Sequence, residues 1–204
     1  MSDRPLIGRR ASASLGPMRQ LVLQMMTTLN GRLDHPEEWV PEIPGDLYAE
    51  IDRIYDGFDT VLVGRTTALE MAEYWPGAET DESEPAVARS MARKMNTYEK
   101  YVFTRSAKPL EWSNVELVTP GGDAALGAFV EALKARPGGD IHLAGGAELA
   151  RTLIRLGVVD RYHLFVYPVV SPGESWFGEI RGQQGLELQS ATAYSNGVVG
   201  LYYA

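Results

Sequence analysis

The chain has 204 residues, 45% of them hydrophobic, and no cysteine. That is the length of one domain with enough apolar residues to bury a core, and it excludes disulfides and thiolate chemistry. Acidic residues outnumber basic ones 27 to 19, giving a net charge of −8, so a broad partnership with nucleic acid or anionic lipid is not expected, although a small phosphate-bearing ligand in a local pocket is compatible.

No apolar run approaches the roughly 18 residues that span a bilayer. The three histidines, His35, His142 and His163, are scattered without flanking carboxylates at zinc-site spacing, which predicts no metal site. Residues 1–17 lack the apolar stretch of a secretory signal and read as a flexible tail. The folded domain is expected over 18–204, in the cytoplasm.

The first element is RQLVLQMMTT, an apolar run too short for a typical helix. It reads as a buried strand ending near Thr27, with a turn at Asn30-Gly31. A loop with three prolines follows, and Pro44 is placed to open a helix with Asp46 in its first turn. Leu47, Ile51, Ile54, Tyr55 and Phe58 continue at helical spacing. DTVLVG is a second buried strand, RTTALEMAEYW a helix, and PGAETDESEP an acidic surface loop. Pro85 opens a helix with Val87, Met91 and Met95 on one face. KYVFTR and VELVTP are the third and fourth strands. Asp123 is a candidate cap for a helix striped by Leu126, Phe129, Val130 and Leu133.

IHLAG is the fifth strand, and Gly157 suits the position just past the helix that follows. DRYHLFVYPVV is apolar on both faces and therefore central. The end of the chain reads as two strands around Ser195-Asn196-Gly197, a strong hairpin signal. The alternation predicts an α/β fold: a mostly parallel mixed sheet between two helical layers, closed by a C-terminal antiparallel hairpin. Ligands of such sheets bind beyond the carboxyl ends of the strands.

Several loops at those ends carry suggestive residues. In GRTT, Gly64 ends a strand and Arg65, Thr66 and Thr67 enter a helix, where free amides and the helix dipole suit phosphate. Ordinary capping by threonine explains the same residues. In GGAEL, Gly145 and Gly146 admit a close approach to the backbone before Ala147, Glu148 and Leu149 begin a helix. Tight strand–helix packing explains them as well. Thr104, Arg105 and Ser106 put a second cation at the same edge, and two arginines there suit a ribose 2′-phosphate.

Asp46 is the leading carboxylate for proton delivery and Glu50, one turn on, the second. A helix N-terminal acid stabilised by the dipole is the alternative reading of Asp46. Trp39, Tyr74 and Trp75 could stack on a flat ring or simply pack. His142 and His163 read as strand histidines rather than catalysts.

Five segments together, LVLQMMTTLNGRL, DTVLVGRTT, KYVFTR, IHLAGGAELARTLIRLGVVDRYHLFVYPVV and SPGESWF, resemble the dihydrofolate reductase-like superfamily. The branch they resemble contains the reductase domain of bifunctional riboflavin deaminase–reductases and its stand-alone relatives. The resemblance implies an NADPH-dependent reductase that acts on a pterin or dihydrofolate-like ring or on a riboflavin-pathway ribosylaminopyrimidine. It places Met26, Thr27, Gly31 and Arg32 over the nicotinamide, and Gly64, Arg65, Thr66 and Thr67 on the phosphates. Thr104, Arg105 and Ser106 fall on the adenosine side, and Gly145, Gly146, Ala147, Glu148 and Leu149 on the pyrophosphate. A cis peptide between the paired glycines and a homodimer are further implications. IPGDL is similar to the segment that carries the substrate-binding acid of folate reductases, which falls on Asp46. Asn30 stands where the family often has an acid, so a protein that keeps the fold and binds a nucleotide without turnover is the alternative.

Overall fold

The computed structural model describes residues 18–173, 175 and 183–204. The expected tail over 1–17 and Trp176 and Phe177 of the last family segment lie outside the described residues.

The described elements run β1 (Leu21–Thr28), α1 (Gly45–Tyr55), β2 (Phe58–Gly64), α2 (Arg65–Ala78), α3 (Ala86–Thr97), β3 (Glu99–Phe103), β4 (Val115–Val118), α4 (Asp123–Lys134), β5 (Asp140–Gly145), α5 (Ala147–Arg155), β6 (Arg161–Tyr167), β7 (Leu188–Ala193) and β8 (Val199–Tyr203). They form one sheet in the order β4-β3-β2-β5-β1-β6-β8-β7. The first six strands in that order are parallel, and β8 and β7 run antiparallel at the end. This is the mixed sheet and closing hairpin expected from the alternation. The turn at Ser195–Gly197 has Gly197 at φ 83°.

Helices on both faces explain the unbroken apolar strands, which have no solvent side. On one face, Leu126, Val130 and Leu133 of α4 and Leu153 and Ile154 of α5 pack on Leu21, Leu23, Leu62, Ile141 and Leu143. On the other, Leu47 and Ile51 of α1 and Met91 and Met95 of α3 pack on Val22, Val61, Val63 and Val102. β6 lies inside the sheet, between β1 and β8, as its two apolar faces require.

Five boundaries differ from the sequence reading. Phe58, read as continuing the helical spacing of α1, is the first residue of β2, because α1 ends at Tyr55. Gly122, not Asp123, is the N-cap of α4, and Asp123 is its first residue. Pro44 and Pro85 are N-caps, one residue ahead of the helices they introduce. α2 runs on to Ala78 through Pro76.

Candidate cofactor groove

Three of the parallel strands lead to helices that begin at the same edge of the sheet. α2 follows β2 directly, α5 follows β5 directly, and α4 follows β4 after Thr119–Gly122. The N-caps of these helices are Gly64, Gly146 and Gly122, and none of the three ends carries a side-chain capping hydrogen bond. The first-turn amides of all three helices therefore lack a side-chain acceptor and bring partial positive charge to one place. Most helices close that end with a serine, threonine or aspartate; here the caps have no side chain to do so.

A groove of about 910 Å³ runs between these ends, lined by Gly64–Thr67, Phe103–Arg105, Pro120, Gly122, Asp123, Leu126, Gly146–Leu149 and Thr152. The turns of α2 and α5 are in contact. A Cβ on Gly146 would sit 3.1 Å from Thr67 Oγ1, and one on Gly64 would sit 3.5 Å from the Gly146 nitrogen. The glycines thus let two helix ends approach each other and leave the backbone bare toward the groove. The Gly145–Gly146 peptide is cis, and Gly145 has φ 110°.

The side chains around the groove divide into tied and untied groups. Arg65 Nη1 donates to the Lys108 carbonyl at 2.7 Å, which ties α2 to the loop after β3. Asp123 is ion-paired to Arg155 of α5 at 2.6 Å, so its charge at the α4 end is balanced. Thr104 Oγ1 accepts the Ser106 amide at 2.9 Å and shapes the turn that presents Arg105. Arg105 itself is exposed.

Of the residues expected on a cofactor, the structure brings Gly64, Arg65, Thr66, Thr67, Thr104, Arg105, Gly146, Ala147, Glu148 and Leu149 into this groove. Ser106 shapes the neighbouring turn, and Gly145 ends β5. Sequence reasoning missed the wall made by Pro120, Gly122, Leu126 and Thr152. Its signal was present, because PGGD after the fourth strand repeats the strand–glycine–helix pattern of the other two turns.

Met26, Thr27, Gly31 and Arg32 belong to the end of β1 and its turn. Thr27 Oγ1 and the Thr28 amide both donate to the Arg32 carbonyl, and Thr28 Oγ1 donates to Asn30 Oδ1. Asn30 also takes the Ser171 amide and donates to the Ser171 carbonyl. An asparagine here joins the turn after β1 to the segment after β6, using a donor that a carboxylate does not have. Arg32 is buried and is held by Asp34, Glu38 and Ser171. Thr27 and Gly31 line a second, apolar cavity of about 410 Å³.

Neither Asp46 nor Glu50 lines the groove. Asp46 accepts three hydrogen bonds, from the Ser195 amide at 2.9 Å, Ser195 Oγ at 3.0 Å and the Leu47 amide at 2.9 Å. Desolvation opposes these bonds, but Ser195 and Leu47 together hold the carboxyl below its ordinary range. The Arg53 hydrogen bonds lower Glu50 in the same direction. Both groups stay ionised at neutral pH. His142 and His163 are in strands, each with Nδ1 buried and unpartnered.

The sheet order, the two helical layers and the edge groove define a dihydrofolate reductase-like α/β protein. The dihydrofolate reductase from Enterococcus faecalis, solved in complex with NADP(H) and RAB-propyl, superposes with a TM-score of 0.57 at 15% identity, covering 90% of this chain and 93% of that one. A pyrimidine reductase-like protein from Corynebacterium diphtheriae superposes with a TM-score of 0.63 at 18% identity, covering 91% of each chain. The chain belongs to the RibD C-terminal domain family, whose profile matches residues 19–200. Protein YyaP of Bacillus subtilis (strain 168) is similar at full length, 28% identical over 186 residues, or 91% of this chain and 94% of that one.

Proposed function

We propose that the protein is an NADPH-dependent reductase that passes a hydride to a small heterocycle, either a pterin-like ring or a ribosylaminopyrimidine. The observation that carries this reading is the meeting of three glycine-capped helix N-termini with Arg65 and Arg105 around one groove. The chemistry of the groove supports a dinucleotide that carries a pyrophosphate and a 2′-phosphate. Bare amides suit the pyrophosphate oxygens, and a Cβ at Gly146 would crowd Thr67.

In this reading the amides of Thr66, Thr67, Ala147 and Glu148 hold the pyrophosphate, and Arg105 takes the 2′-phosphate. Arg65 divides its donors between Lys108 and the ligand. The cofactor, when bound, supplies the hydride; the chain's residues supply position and electrostatics. The turn after β1, anchored through Thr27, Asn30 and Arg32, flanks the nicotinamide end. Asp46 and Glu50, both held ionised, are poor proton sources at neutral pH, so Asp46 is better assigned to holding α1 against the β7–β8 turn.

Titration with NADPH and NADH tests the proposal, and failure of both to bind removes it. Arg105→Ala should weaken NADPH about tenfold and leave NADH unchanged. Equal losses would mean that Arg105 does not read the 2′-phosphate. The engagement of Asn30 in a structural role favours a second reading, nucleotide binding without turnover. NADPH binding with no oxidation across dihydrofolate, pterins and ribosylaminopyrimidines would select it.

A further inference from the structure

The groove has an inner and an outer end. At the inner end the first turns of α2 and α5 meet through Gly64, Thr67 and Gly146. The outer end is built by β3 and β4, which pair at the edge of the sheet. The turns that leave these two strands are tied together. The Thr104 amide donates to the Val118 carbonyl at 2.9 Å, and Thr119 Oγ1 donates to the Thr104 carbonyl at 2.7 Å. α4 starts over the same strands, because Phe129 packs edge-on against Tyr101 and Phe103 with ring centres 5.2 and 5.7 Å apart. Arg105, one residue beyond Thr104, and Asp123, the first residue of α4, both line the groove at this end.

An acid in the first turn of a helix suits the helix dipole. Here, however, the carboxylate lines the same opening as the uncapped amides and Arg105, and it opposes any phosphate that they attract. Arg155, in the last turn of α5, reaches across to it: Nη1 donates to Asp123 Oδ2 at 2.6 Å. Arg155 does not itself line the groove. The two side chains are 52% and 51% exposed, so the pair adds little to stability. What it changes is the charge that a ligand meets. With Arg155 attached, the carboxylate is compensated and Arg105 dominates the outer end. With Arg155 gone, Asp123 offsets Arg105 and has oxygens free to accept a hydrogen bond.

We infer that the Asp123–Arg155 pair sets the choice between a 2′-phosphorylated dinucleotide and its 2′-hydroxyl counterpart, with Arg155 as a positioning residue that acts through Asp123. The inference rests on the proposal that the groove holds such a dinucleotide with its 2′-phosphate at Arg105. The two cofactors differ only at that ribose. A phosphate there is strongly anionic, so Arg105 attracts it and an uncompensated Asp123 repels it. A hydroxyl is a donor that a free carboxylate accepts, which is how an acid selects the unphosphorylated ribose in other dinucleotide folds. Holding Asp123 on Arg155 removes the repulsion and occupies the acceptor together, and both changes favour the phosphorylated cofactor.

Calorimetric titration of NADPH and NADH into the wild-type chain, Arg155→Gln, Asp123→Asn and the double variant tests it, with the ratio of the two affinities as the readout. Arg155→Gln should lower the preference for NADPH about tenfold, with an unchanged circular dichroism spectrum. Asp123→Asn should keep or raise the preference. The double variant should match Asp123→Asn, because no carboxylate is left to compensate. A pair that only braced α4 against α5 would change both affinities alike or neither. A preference retained in Arg155→Gln, or lost equally in the double variant, would overturn the inference and leave the reductase reading standing. A wild-type chain that binds neither nucleotide would remove that reading and this inference with it.

Discussion

The two ends of the parallel strands treat polar groups in opposite ways. At the amino ends they are closed off by the protein itself. Arg19, buried, is held by Asp59, by Thr60 Oγ1 at 2.6 Å and by the Gly139 carbonyl. Lys134, also buried, pairs with Asp160 at 2.8 Å and Glu131 at 3.2 Å, and Asp160 accepts the Leu21 amide. Lys100 donates to the carbonyls of Asn96, Tyr98 and Ser113. At the carboxyl ends, three helices start without a side-chain cap, and Arg105 faces solvent. Charge that is satisfied internally holds a fold together; donors left without side-chain partners at one edge are what a ligand can use.

The largest expected effect is at the closed end. Arg19→Met removes the donor that Asp59, Thr60 and the Gly139 carbonyl share, while Asp59 keeps Thr60 Oγ1 and the Gly139 amide; the three lost hydrogen bonds should lower unfolding free energy by about 3 kcal/mol. Urea denaturation measures this, and nucleotide affinity at the far edge should not change once the variant is folded. A loss below about 1 kcal/mol would mean that the cluster is not a structural clamp.

Gly146→Val makes the complementary cut at the open end. The added carbons press on Thr67 and cover bare backbone in the groove. NADPH affinity should fall about a hundredfold, near 2.7 kcal/mol. Calorimetric titration reads the affinity, and retained affinity would separate the groove from the cofactor site.

Midway along the sheet, the histidines give the comparison a pH dependence. Burial pushes His142 down to about 3 and His163 down to about 4. The unfolded chain takes up protons near pH 6.5. Between pH 6.5 and 4 it therefore binds more protons than the folded chain, and stability falls as pH falls. His142→Leu keeps the apolar contact with Phe58, whose ring stacks on the imidazole at 5.0 Å. It should remove about 2 kcal/mol of that decline, measured as the difference between urea midpoints at pH 6.5 and 4.5. An undiminished decline would show that carboxylates alone set the acid limit.

The smallest effect belongs to Asp46→Asn. It weakens the link to Ser195 and should lower the melting temperature slightly, with NADPH oxidation at neutral pH nearly unchanged if turnover is present. Loss of oxidation with intact cofactor binding would return Asp46 to a catalytic role.

Much of this architecture was legible because it depends on local pattern. Apolar runs such as LVLQMM and TVLV need cover on both faces, and Gly64 and Gly146 mark strands that turn directly into helices. Asn196-Gly197 signals the hairpin in the same way. The PGGD wall is readable on the same terms, since it too joins a strand to a helix through glycine. The fate of Asp46 was not readable, because its partner Ser195 is 149 positions away, and the signal that marks its turn says nothing of what the turn meets. The burial of Arg32 was not readable either, because the fold has to bring Ser171 to it from 139 positions away.

By itself, the order of residues determined the alternation of strands and helices and the glycines where backbone had to be bare, since both follow from side-chain periodicity and the absence of a Cβ. Only the tertiary structure decided which turns share an edge and which charges meet a partner. Those outcomes depend on strand order and on contacts more than a hundred residues apart, and no local spacing encodes them.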